Sequence, residues 1–252
     1  MDFDISSHKR ILVVGASGDL GIKLIDMLAG YDLTIGAHCF KNKTRLKKFA
    51  DQHPGAKMKI FSSDTSQKAN CTKLIKEFVQ WAGGIDYLVQ LSGAINKPVG
   101  WEHLNQEQWD QDLAVNLTGP FFLAQQAFPH MKHRGGKIIL TSTASASHGG
   151  GKTSMAYGAA KAAVECVTKG LAREGAKHQI LVNGIAPGFI HSQFHTKQMK
   201  RTSQELKSRA LLVPLQRAGD PADVAQMILF LLSSAGNYIT GQIMAISGGD
   251  WL

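Results

Sequence analysis

The chain has 252 residues, 44% hydrophobic and 19% charged, which excludes a disordered or collagen-like polypeptide and is enough for a sizeable buried core. Its 28 lysines and arginines against 19 acids give a net charge of +9, yet the densest basic run, KNKTRLKK at 41–48, is short and free of aromatics, so nucleic acid is not expected as a partner. The first apolar run, ILVV, is too short for a signal-peptide core or a membrane span, and Cys39, Cys71 and Cys166 lack the spacing of a disulfide framework or a zinc site; the expectation is a cytoplasmic protein with no membrane contact and no metal.

Along the chain, short β-branched runs alternate with longer amphipathic segments. KRILVVG, LTIGAH, KMKIFSS, IDYLVQLS, GGKIILTST, HQILVNGIAP and GQIMAIS read as strands, and the alternation predicts an α/β fold in one domain over 1–252, with a doubly wound parallel sheet of about seven strands and helices on both faces.

VGASGDLG, at 14–21, follows the first strand and opens the first helix. Gly15, Gly18 and Gly21 allow the backbone to approach a pyrophosphate, whose charge then meets the unpaired amides of a helix N-terminus; Ser17, Asp19 and Leu20 complete this cradle. Asp19 is awkward beside a phosphate and is expected to point away from it within the first helical turn, where an acid suits the helix dipole. The end of the second strand reads GAHCFKNK. Ala37 stands where an acid would bind the ribose hydroxyls of NAD, while His38, Lys41 and Lys43 are candidate partners for the extra phosphate of NADP, so NADP(H) is preferred over NAD(H).

MAYGAAKAA, at 155–163, sets Tyr157 and Lys161 four residues apart and therefore on one face of a helix. A free phenol titrates at about 10, so the ammonium of Lys161 is expected to lower the Tyr157 pKa toward the working range of an acid–base group. The segment 188–216 shows no clear pattern and has the length of a lid or substrate loop. Within it His191 and His195 have the spacing of a metal pair, but no third ligand is evident, and they are read as a substrate-loop pair.

Taken together, VGASGDLG, Asn116 in AVNLTGPFF, the hydroxyl-rich strand end ILTSTAS, YGAAK and VNGIAPGFIHS resemble the short-chain dehydrogenase/reductase family over essentially the whole chain. The ending RAGDPADVAQMILFLLSSAGNYITGQIMAISGG looks most like its 3-oxoacyl-acyl-carrier-protein reductase group. The resemblance implies a Rossmann-type NAD(P)-binding domain. It implies a tetrad of Asn116, Thr143, Tyr157 and Lys161, in which the tyrosine protonates a carbonyl oxygen, Thr143 holds that oxygen, and Asn116 fixes a helix kink. Ser142 is the alternative hydroxyl. Gly158, Ala159 and Ala160 leave room for a cofactor, Asp64 is expected to meet the adenine, and Gly93 to line the cofactor cleft. Pro187, Gly188, Ile190 and Ser192 are expected to close on the nicotinamide end, with Met155, Phe189 and His148 near the substrate.

Three departures mark a divergent member: glycines spaced GxxGxxG, QLSG at 90–93 in place of NNAG, and Ser247 where these reductases often carry an aspartate. The expected activity is NADPH-dependent reduction of a ketone, with a 3-oxoacyl thioester as one candidate and an acidic carrier protein drawn to Lys132, Arg134 and Arg173. Two alternatives stay open: an alcohol, steroid or sugar dehydrogenase with the same tetrad, and a dinucleotide sensor or scaffold without turnover. Relatives of this kind are commonly homotetramers, so a homo-oligomer, tetramer or dimer, is expected.

Overall fold

A computed structural model describes residues 3–250. All seven predicted strands form: β1 (Lys9–Val14), β2 (Leu33–Cys39), β3 (Met58–Ser62), β4 (Tyr87–Gln90), β5 (Gly136–Thr141), β6 (Ile180–Pro187) and β7 (Ile243–Ile246). They make one parallel sheet in the order β3-β2-β1-β4-β5-β6-β7. The order reverses between β1 and β4, and their carboxyl ends diverge there to leave the crevice in which open α/β sheets bind ligands.

β1 shows why a continuous apolar run is required. Ile11 and Val13 face a core built with Leu24, Ile25 and Leu28 of α1 (Asp19–Leu28) and Val224 and Ile228 of α8 (Pro221–Leu232). Leu12 and Val14 face the opposite layer, with Leu74 and Phe78 of α3 (Lys68–Ala82), Leu123 of α5 (Gly119–Met131) and Val164 of α6 (Met155–Gly175). Successive side chains of a strand point to opposite faces, so helices on both sides leave no position for a polar residue. Gly36 in β2 is needed for this packing, because a Cβ there would lie 2.5 Å from the Phe78 ring.

Three short helices complete the set among the described residues. α2 (Thr44–Gln52) follows β2, and α4 (Gln106–Leu113) begins with a capping box between Asn105 and Gln108 and runs into a π-helical turn at Ala114–Thr118 before α5. The segment at 188–216, unpatterned in sequence, is not an open loop. It contains a π-helical turn at Phe194–Gln198 and α7 (Ser203–Leu211), whose start is fixed by a capping box between Thr202 and Glu205.

One buried ion pair ties the start of β1 to β4. The Arg10 guanidinium donates to both oxygens of Asp86, at 2.6 and 2.9 Å, and the Arg10 amide donates to Asp86 Oδ2 at 2.9 Å. Burial alone would raise the Asp86 pKa, but the hydrogen bonds and charge of Arg10 outweigh it and hold the carboxyl below its ordinary range. The pair therefore contributes stability above the ordinary carboxylate pKa and loses it as pH falls through the lower folded value. Asp86→Asn is expected to cost about 3 kcal/mol at neutral pH, because it leaves a buried guanidinium without its counter-charge. In urea melts the gap between variant and wild type should narrow on acidification.

Candidate active site

The crevice opens into a cleft of about 600 Å³. Its floor is the glycine turn: Gly15, Ser17, Gly18, Asp19, Leu20 and Gly21 all line it. Gly15 has φ +83°, and a Cβ there would lie 2.6 Å from the Ser92 amide after β4; a Cβ on Gly21 would lie 2.5 Å from Ala16 Cα. Side chains at either position would push the turn off the sheet and fill the cradle, so this part of the cleft fits the pyrophosphate of a dinucleotide at the N-terminus of α1.

Asp19 is the first residue of α1, as expected, but it does not point away. Its Oδ1 pairs with Arg45 at 2.9 Å, its Oδ2 accepts the Gln193 amide at 2.6 Å, and Arg45 also donates to the Ser17 carbonyl at 3.0 Å. The carboxylate is thus matched by a cation beside the phosphate cradle instead of being turned out of it.

The NADP partners named from sequence, His38, Lys41 and Lys43, do not line the cleft. His38 is 1% exposed, its Nε2 lies 3.1 Å from the Ser63 carbonyl, and desolvation lowers its pKa to about 4, so it carries no charge for a phosphate. Lys41 is exposed, with its ammonium 4.8 Å from the Phe40 ring, and it does not line the cleft. From the segment after β2, Arg45 and Asn42 line it instead. TRLKK reads as a solvated helix start, and only the position of α2's first turn over the glycine turn distinguishes Arg45 from its neighbours. Asp64 also stays out of the cleft lining: its Oδ1 accepts the Ser66 amide at 3.0 Å and closes a local turn ahead of α3.

At the other side of the sheet reversal, α6 presents Tyr157 and Lys161 to the cleft, Thr143 follows β5, and Gly93 follows β4. Thr143 stands beside Tyr157 and favours the ionised phenol, while its own hydroxyl has Ser145 Oγ at 3.2 Å and the Pro187 carbonyl at 3.4 Å as partners. Ser142 also lines the cleft, but it is 1% exposed and its hydroxyl has the Lys161 carbonyl at 3.0 Å and the Glu165 carboxylate at 2.7 Å as alternative acceptors, which ties it to α6. Lys161 is 1% exposed, and its ammonium donates to the Thr141 carbonyl at 2.8 Å. A Cβ on Gly93 would lie 3.2 Å from that ammonium and 3.1 Å from Asn116 Oδ1, so the glycine makes room for both. Asn116 sits in the π-helical turn behind Gly93, accepting the Ala94 amide and donating to the Ala94 and Asp112 carbonyls. It anchors the strand end to the helix pair without lining the cleft.

The electrostatics run opposite to the expectation for this pair. Burial pushes the Tyr157 pKa up to about 12; the Thr143 hydroxyl lowers it and the Asp112 charge raises it, with no opposing pull from Lys161. Burial also lowers Lys161 to about 7. The ammonium is 5.6 Å from the tyrosine ring and directed to the Thr141 carbonyl, and an amine that is itself desolvated and partly neutral is a weak source of field.

Pro187, Gly188, Phe189, Ile190 and Ser192 line the cleft beyond β6, where a Cβ on Gly188 would lie 2.7 Å from Ser247 Cα. Met155 is 45% exposed at the start of α6 and His148 is exposed; neither lines the cleft, whereas Phe189 and Ser142 do. Gln193, Phe194, His195, Lys197, Arg201 and Arg209 join it from the long segment. Phe194 lies 5.9 Å from the Tyr157 ring, and His195 packs on Phe189 and Phe194 at 4.7 and 5.4 Å. Among the described residues no His, Cys, Asp and Glu group could hold a metal, and no helix is long and apolar enough to cross a membrane.

Known proteins resemble this chain in sequence and in fold. The family described as enoyl-(acyl carrier protein) reductase matches residues 27–250. The 3-oxoacyl-[acyl-carrier-protein] reductase FabG of Thermotoga maritima is 34% identical over 96% of this chain and 97% of its own length. The acetoacetyl-CoA reductase of an Acinetobacter strain is 30% identical over 98% of this chain and all of its own. A structure from Sinorhizobium meliloti 1021, assigned as a short-chain alcohol dehydrogenase, superposes with a TM-score of 0.88 at 29% identity, covering 97% of both chains. The chain belongs to the short-chain dehydrogenase/reductase family of oxidoreductases, which work with a nicotinamide dinucleotide.

Proposed function

We propose that the protein is an NADP(H)-dependent reductase that converts a ketone to a secondary alcohol, with Tyr157 as the proton donor. The observation that carries this reading is the joint placement, in one cleft with the glycine turn, of Thr143, Tyr157 and a buried Lys161. A bound NADPH supplies hydride to the carbonyl carbon. The protein does the rest: Thr143 and Tyr157 hold the carbonyl oxygen, and the phenol, kept protonated by its raised pKa, gives up its proton as negative charge develops there. Lys161, near 7, both gives and accepts a proton at neutral pH and is suited to resupply the site.

A 3-oxoacyl thioester is a candidate substrate because relatives named for 3-oxoacyl-carrier and acetoacetyl-CoA reduction cover nearly the whole chain. Lys132, Arg134 and Arg173 are exposed, in keeping with an acidic carrier as partner. Assembly as a homotetramer or dimer belongs to the same reading, supported by the small exposed residues Ala159 and Ala162 on the outer face of α6. So does a cytoplasmic setting, in which the three cysteines remain free as they are here.

The NADP preference rests on Arg45 instead of His38 and Lys41. Its guanidinium holds Asp19 and the Ser17 carbonyl through Nη1, leaving further donors for a 2′-phosphate.

Three outcomes are expected. Tyr157→Phe should lower kcat for ketone reduction by about 10²–10⁴-fold in an NADPH-consumption assay, with dinucleotide binding by fluorescence retained; full turnover in that variant sinks the proposal. Arg45→Ala should weaken both dinucleotides by baring Asp19 at the cradle, but should raise KM for NADPH about tenfold more than KM for NADH, the loss of one further charge-assisted hydrogen bond. The kcat/KM for reduction should fall as pH rises through about 7, where Lys161 loses its proton, while Tyr157 stays protonated over the same range. Lys161→Arg, which remains charged, should flatten that limb of the profile.

A further inference from the structure

The cleft has a cationic end that the tetrad does not use. Lys197, Arg201 and Arg209 line it beside His195, while the acids lining it are Asp19 and Asp250. Asp19 is engaged by Arg45 at the glycine turn, and Asp250 pairs with Arg209. Glu205, the acid whose charge acts on Arg201, is outside this lining, and its carboxylate accepts the Thr202 amide and hydroxyl at 2.7 and 2.9 Å. Among the described residues no carboxylate hydrogen-bonds the Arg201 guanidinium, so Arg201 faces the cleft with its charge only distantly compensated.

We propose that the ketone reduced here carries an anionic group, a carboxylate or a phosphate, close to its carbonyl, and that Arg201 is the residue that selects it. This rests on the reductase reading and narrows its substrate class. The geometry sets the scale. The Tyr157 ring is 5.9 Å from Phe194, Phe194 is 5.4 Å from His195, and the Arg201 amide donates to the His195 carbonyl at 3.0 Å. Arg201 and Tyr157 line the same cleft, with Phe194 and His195 in the wall between their chain segments, so a substrate spanning them would present its anion to Arg201 and its carbonyl oxygen to Tyr157.

A second feature points the same way. His195 lines the cleft with a buried Nδ1 that has no partner among the described residues, although buried polar atoms are ordinarily paired. Burial, and then the charges of Arg201, Arg209 and His191, hold its pKa at about 4, so it is a neutral imidazole in a positive field. A neutral ring between the catalytic hydroxyls and a guanidinium can meet an anionic substrate's oxygen without adding another charge to be desolvated. Arg209, stacked 5.2 Å from the Phe189 ring and tied to Asp250, fixes the wall behind it. A planar guanidinium matches a carboxylate or a phosphate through paired N–H donors, whereas the acyl part of an oxoacyl thioester carries no charge.

The test compares matched pairs with NADPH: 2-oxobutanoate, 3-oxobutanoate and 4-oxopentanoate against their methyl esters, and dihydroxyacetone phosphate against dihydroxyacetone. At least one anion should exceed its neutral partner by tenfold or more in kcat/KM, and the arm that does so identifies carboxylate or phosphate. Arg201→Gln should reduce that ratio at least tenfold, through KM, and Arg201→Lys should restore part of it. Calorimetry of the same anions against wild type and Arg201→Gln gives a readout independent of turnover.

Neutral ketones or 3-oxobutanoyl-CoA reduced as well as every anion, or a ratio unchanged in Arg201→Gln, would overturn the inference while leaving the reductase reading intact. Arg201-dependent binding of an anion with no reduction of any ketone would uphold the anion site and overturn the reductase reading. No binding and no turnover of any anion would overturn the inference outright.

Discussion

The site depends on a lysine that the fold has almost removed from water. Lys161 is 1% exposed and its ammonium is held by the Thr141 carbonyl at the end of β5, so the amine is fixed to the sheet although its Cα belongs to α6. That placement requires Gly93 on one side, where any Cβ would crowd the ammonium, and Asn116 behind it, which clamps the strand end to the helices. Ser142 adds a brace from β5 back to the Lys161 carbonyl and Glu165. Desolvation, not attraction by a neighbouring acid, then sets the proton affinities of this pair: Tyr157 rises to about 12 and Lys161 falls to about 7. The phenol stays protonated well above neutrality, and the amine is the group poised near it.

Much of this was legible in sequence because it is written in backbone requirements. The seven strands follow from short β-branched runs bounded by turn residues, and each formed where it was expected. Gly15 and Gly21 are forced by close approach of chain to chain, a constraint that shows as glycine at a fixed distance from a strand end. The four-residue spacing of Tyr157 and Lys161 on a helix is likewise a matter of period alone. These features survive without knowledge of the surroundings.

What was not legible depended on partners far away in the chain. His38 looked like a phosphate ligand until β2 proved buried along its whole length, which turns its ring onto Ser63 and leaves it neutral. Arg45 was hidden in a basic run whose other members face solvent. Ser142 and Thr143 are adjacent in sequence and differ only in which side of the chain each faces after the strand ends. The ammonium's influence on Tyr157 failed for a related reason: helical spacing brings the two residues together, but the direction of the lysine is decided by the Thr141 carbonyl, twenty residues earlier in the chain.

Asp19 joins two parts of the cleft that the chain keeps far apart. One of its oxygens is neutralised by Arg45 over the glycine turn, and the other accepts the amide of Gln193, next to Phe194 and His195. A nucleotide that settles on the glycine turn thereby acts on the wall against which the second reactant rests. Because such coupling is reciprocal, the free energy that one ligand gains from an ordered wall is returned in the binding of the other, so the two reactants are not independent guests of this protein.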